Sequence, residues 1–113
     1  MKTKKLEQYR QGDVLIERVF DSALKDDAME DIPREDGRIV LAHGEATGHA
    51  HAISDKNAFF FEGPGRKERF LRVLKGGVAL RHEEHREVKI PAGLYRITRQ
   101  REYSPEAIRN VAD

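Results

Sequence analysis

At 113 residues the chain can hold one domain with a single modest core and is too short for two. Charged residues make up 36% of it, above the roughly 25% of ordinary soluble domains, but the net charge is only +1, which argues against bulk nucleic acid as a partner. With no cysteine, disulfides, iron–sulfur clusters, thiolate zinc sites and cysteine nucleophiles are excluded, and no apolar run approaches the ~20 residues of a membrane span.

Met1-Lys2-Thr3-Lys4-Lys5 leads into no apolar segment of the kind a secretory leader carries, so a cytoplasmic protein is expected. The first strand expected is Val14–Val19, opened by Gly12-Asp13. Residues 21–37 are acidic, contain Pro33 and end at Asp36-Gly37; they read as a long loop with one helical turn around Ala23–Met29. Strands follow at Arg38–Ala42 and, after the turn bracketed by Gly44 and Gly48, at His49–Ile53. Ala58–Phe61 closes at Gly63-Pro64-Gly65. Arg69–Leu74 and Val78–His82 flank Gly76-Gly77, a hairpin signal because paired glycines accept the positive φ of a primed turn. Val88–Ile90 runs into Pro91-Ala92-Gly93, and Leu94–Arg99 returns as the last strand. Ser104 as a cap and Pro105 at the first helical position then predict a short C-terminal helix over Pro105–Val111. The period-two bursts of apolar residues predict a single all-β domain, a small barrel or sandwich of about seven or eight short strands; closure would also hide the strand edges.

Four of the five histidines fall in two tight pairs, His49-Ala50-His51 and His82-Glu83-Glu84-His85. Side chains two apart on a strand point the same way, so His49 and His51 can face one ion. His82 ends a strand, and His85 lies three residues on, past a bend that can turn its ring back. Imidazole nitrogens ligate zinc, iron, manganese or nickel at about 2.0–2.2 Å. A metal site from His49, His51, His82 and His85 is therefore expected, with Glu45 as a further carboxylate ligand and Glu83 or Glu84 as proton shuttle. His43 stands apart from both pairs.

The spacing resembles that of the cupins. Gly44, four residues, His49-Ala50-His51, three residues, Asp55, seven residues and Gly63 is similar to their first motif, and Pro91-Ala92-Gly93 to the turn of their second. The resemblance covers residues 44–95 and implies a small β-barrel holding a divalent metal through His49 and His51, with Asp55 in the acid position. Where cupins carry a histidine after the turn, this chain has Leu94-Tyr95-Arg96. The histidine-triad nucleotide hydrolases offer a poorer comparison, since the alternating run stops at two histidines and Ile53 takes the third place.

Other chemistry is thin. Neither a Gly-x4-Gly-Lys-Ser/Thr phosphate loop nor a Gly-x-Ser-x-Gly elbow is present. Ser54 follows His51 by an odd number of residues and faces away from it. Phe59-Phe60-Phe61 beside the basic 66–75 stretch suggests core packing first and single-stranded nucleic acid second. Arg99 and Arg101 share a face on the last strand and its continuation. The leading expectation is a β-barrel with a histidine-rich pocket for a divalent metal, acting on a small-molecule ligand not named by the sequence. The alternative is a non-enzymatic accessory module, phage- or operon-encoded, that binds a protein partner or a second copy of itself.

Overall fold

A computed structural model describes residues 7–24, 29–44, 46–63 and 68–100. Among these residues ten strands follow in chain order: β1 (Gln8–Gln11), β2 (Val14–Arg18), β3 (Glu30–Asp31), β4 (Ile39–His43), β5 (Ala50–Ile53), β6 (Ala58–Glu62), β7 (Arg69–Val73), β8 (Val78–Arg81), β9 (Val88–Ile90) and β10 (Gly93–Arg99). They form a six-stranded sheet in the order β1-β2-β10-β7-β6-β3 and a four-stranded sheet in the order β4-β5-β8-β9. Every pairing is antiparallel. Gly76 and Gly77, both at positive φ, make a turn after β7 in which the Gly77 N–H donates to the Leu74 carbonyl at 3.1 Å, but β7 and β8 lie in different sheets, which corrects the hairpin expected there.

The sheets are open, which corrects the expected barrel of about seven or eight strands. Closure needs one continuous hydrogen-bonded register around the sheet. Here the chain leaves the large sheet after β3 and again after β7, and each excursion adds a hairpin to the small sheet. The β1 edge comes against β9, but it is the Gln11 side chain that bridges there, donating to the carbonyls of Leu80 (3.0 Å) and Arg86 (2.8 Å). Among the described residues there is no α-helix, only a 3-10 turn at Asp21–Ala23. The helix expected over Pro105–Val111 lies outside the described residues, as does part of the turn expected at Ala23–Met29.

Alternation on each strand supplies the core between the sheets. Val14, Ile16, Leu71, Val73, Tyr95 and Ile97 from the large sheet pack against Ile39, Leu41, Ile53, Leu80 and Ile90 from the small one. On β5 this inward set continues to His51, while Ala50 and Ala52 join Val40 on the other face. Of the three consecutive phenylalanines Phe60 is in the core, Phe59 is 53% exposed, and Phe61 stacks on Phe70 at 6.0 Å.

Candidate metal centre

Register brings the two histidine pairs together. β5 and β8 match Ala52 with Arg81 and Ile53 with Leu80, so one further step sets His51 opposite His82. Their ring centroids are 4.4 Å apart. Beyond His82 the chain bends through Glu83–His85, and His85 returns to 4.6 Å from His82 and 5.7 Å from His51. His49, just before β5, meets His82 edge-on at 5.7 Å. The four rings line a cleft of about 320 Å³ with Asp13, Glu84 and Arg99.

Two glycines make that convergence sterically feasible. A Cβ on Gly12, in the turn from β1 to β2, would lie 2.9 Å from His85 Nε2 and 3.1 Å from His51 Cε1. Gly12 also holds φ +59°, a region that side chains disfavour. A Cβ on Gly44 would lie 3.0 Å from His82 Nε2.

His51 is the deeply buried member. It is 2% exposed, and its Nδ1 is 2.8 Å from Gln11 Oε1. Because Gln11 spends its amide N–H groups on two backbone carbonyls, its oxygen must accept, and Nδ1 of His51 must donate. That assignment comes from the hydrogen-bond network, and it leaves a lone pair on Nε2. Burial, reinforced by the neighbouring His82, pushes the imidazole down to about 4, so it is neutral near pH 7. Its Nε2 stands 3.6 Å from Asp13 Oδ1, too far for a hydrogen bond. A spacing near 3.4 Å is what two donors share on one edge of a tetrahedral metal site with bonds of about 2.1 Å. The other Asp13 oxygen accepts from Arg99 Nε at 2.8 Å. Burial works to raise the Asp13 carboxyl, but the hydrogen bond and charge of Arg99 hold it below its ordinary value.

Two acids flank the histidines: Glu84 lines the cleft, and Glu83 lines a neighbouring groove that shares His82. His49, His82 and Glu83 form a cluster able to coordinate a metal ion, with one donor atom from each within 4.8 Å of the others. Glu83 accepts the Ala50 N–H at 3.0 Å; this and the backbone N–H of Glu83 itself depress its carboxyl. His49 Nδ1 lies 3.2 Å from Glu84 Oε2. His82 Nδ1 accepts the Glu84 N–H at 3.0 Å, which leaves Nε2 as the protonated nitrogen of the neutral ring. Coordination through either nitrogen of His82 therefore replaces that hydrogen bond.

The structure thus gathers His49, His51, His82 and His85, with Glu83 and Glu84 beside them. Asp55 is elsewhere: beyond the far end of β5, its Oδ2 accepts the Ala79 N–H at 2.8 Å. Glu45 lies outside the described residues. His43 turns outward to Glu35 at 3.2 Å. Sequence reasoning missed Gln11 and Asp13 and did not connect Arg99 with the histidines. Gln11 and His51 are 40 residues apart, and Asp13 and Arg99 are 86 apart; no local pattern announces either contact.

Fold and site together define a small antiparallel β domain with a histidine-lined cleft and, beside it, a His49, His82 and Glu83 cluster able to coordinate a metal ion. The chain belongs to the family described as Domain of unknown function (DUF8820), whose model matches residues 10–100. That span includes every cleft residue named above. No curated protein and no solved structure matches the chain. Among the described residues, no helix is long and apolar enough to cross a membrane.

Proposed function

We propose that this protein binds one divalent transition metal in the cleft between His49, His51, His82 and His85, and that the ion is its working centre. The observation that carries this reading is His51, buried and neutral, with Nδ1–H fixed by Gln11 and the Nε2 lone pair left for an ion. A metal-bound histidine is oriented in this way, by a hydrogen bond from its second nitrogen. Asp13, itself held by Arg99, supplies a carboxylate on one side, and Glu83, clustered with His49 and His82, supplies another. Nitrogen and oxygen donors without thiolate suit zinc, iron, manganese or nickel. Such an ion polarises a bound oxygen or activates water, and Glu84 stands where a proton acceptor is useful.

The test is metal analysis of protein purified without a histidine tag, followed by thermal melting of chelator-treated protein with zinc, nickel or manganese added back. Close to one equivalent of metal and a raised melting temperature are expected. Less than about 0.2 equivalents, with no shift on adding any of these ions, would sink the reading. An accessory module docking on a protein is the second reading. It is favoured by Phe59 and Phe20, 53% and 67% exposed: Phe59 pairs with Arg72 across the sheet, and Arg72 reaches Asp21, the neighbour of Phe20.

A further inference from the structure

Arg99 occupies an unusual position for a surface arginine. Its side chain is only 22% exposed, it ends β10, and it lines the same cleft as the histidines. Asp13 does not grip it in the two-oxygen manner common for this pair. One oxygen accepts from Nε at 2.8 Å, while the other turns to His51 Nε2 at 3.6 Å. Among the described residues Asp13 is the one hydrogen-bond or ion-pair partner of Arg99, so both terminal nitrogens are left without one. They are not sealed in the core, since the one buried side-chain nitrogen or oxygen without a hydrogen bond among the described residues belongs to Arg96. A guanidinium anchored at Nε and open at its two terminal nitrogens is a preset fork for a pair of oxygens.

We infer that the cleft takes a small oxyanion, a carboxylate or phosphate, with one oxygen on the metal and its others on the terminal nitrogens of Arg99. The inference rests on the metal reading and adds the ligand class to it. Asp13 links the two halves of the site, because its carboxylate faces His51 and holds Arg99 at once. The size of the cleft, about 320 Å³, is at the small end for ligand sites and suits a small metabolite better than a polymer.

Cobalt(II) replaces zinc in nitrogen–oxygen sites and gives visible bands that move when a ligand joins the metal. The chelator-treated protein is loaded with cobalt and titrated separately with oxalate, malonate and inorganic phosphate, and the bands are followed. At least one of these anions should shift the bands saturably, and whether it is a carboxylate or phosphate identifies the source. In cobalt-saturated Arg99→Gln that anion should bind about tenfold to a hundredfold more weakly, as loss of a charged hydrogen-bond donor implies. Arg99→Lys, which keeps the charge but lacks the planar fork, should fall between. Cobalt bands that no anion moves overturn the inference while leaving the metal reading intact. So does an anion that binds wild type and Arg99→Gln equally. If no cobalt bands form at all, the metal reading has failed, and this inference falls with it. If Arg99→Gln does not fold, Arg99→Lys supplies the comparison, and an affinity there equal to wild type overturns the inference in the same way.

Discussion

Gln11 and His51 show how much of a site can depend on one amide. Gln11 is 2% exposed and joins three groups: the imidazole and two backbone carbonyls. In Gln11→Ala all three lose a buried partner, which should cost about 1–3 kcal/mol in urea unfolding. The imidazole is also freed to change tautomer, so metal affinity should fall about 10-fold to 100-fold by calorimetric titration. Unchanged affinity in a folded Gln11→Ala protein would show that Gln11 does not orient a ligand. The depressed value at His51 gives a second prediction, for the metal-free protein. The folded-state value, about 4, lies below the ordinary 6.5, so between these pH values the unfolded chain takes up a proton that the folded chain refuses. The stability that neutral His51 contributes is complete above pH 6.5 and is lost as pH falls towards 4, by an amount on the order of 2–3 kcal/mol. Other groups titrate in the same window, so the measurement is the difference between wild type and His51→Gln. That difference should shrink with acidification and stay flat above neutrality.

At the level of elements, the two glycine turns separate stability from site geometry. Gly77 holds φ +73°, and a Cβ there would press to 2.9 Å from the Ile90 carbonyl oxygen. Gly12 holds φ +59°, and a Cβ there would strike His85 and His51 instead. Both alanine variants should lose about 1–3 kcal/mol through backbone strain. Gly12→Ala should also lose metal binding, whereas Gly77→Ala, folded and below its melting point, should keep it. Equal metal affinity in the two would remove the β1–β2 turn from the site. The same turns show what was legible in sequence. Gly76-Gly77 announced a tight turn because the requirement for positive φ is local, but not that the turn would pass from one sheet to the other; β2, β4 to β8 and β10 announced themselves by alternation of apolar residues. β1 and β3 did not. Gln8–Gln11 and Glu30–Asp31 are sheet edges with mostly exposed side chains, so no apolar period marks them. The barrel was expected from strand number and spacing, and neither fixes which edges pair.

Across the whole molecule the cleft bridges the two open sheets. β5, β8 and the bend after β8 bring the histidines from the small sheet, while β1, the turn after it and β10 bring Gln11, Asp13 and Arg99 from the large one. This division explains why half of the site could be read in advance. Paired histidines are a pattern within a few residues, whereas their supports arrive only when one sheet lies against the other. It also makes the proposed metal binding a property of the assembled fold. An ion that binds the folded chain alone adds stability as RT ln(1 + [metal]/Kd), about 2.7 kcal/mol at 100 times Kd. For a domain of about this size that raises the melting temperature by roughly 10–20 °C. The gain should not be confined to the strands that carry histidines. Amide hydrogen exchange should slow on adding metal in β1, β2 and β10 as well as in β5 and β8, because opening either sheet away from the other breaks the site. Protection limited to β5 and β8 would mean that the ion is held by the small sheet alone, with the Gln11 and Asp13 contacts incidental to it. Protection of both sheets in wild type, lost from the large sheet in Asp13→Asn, would identify the carboxylate that ties them together.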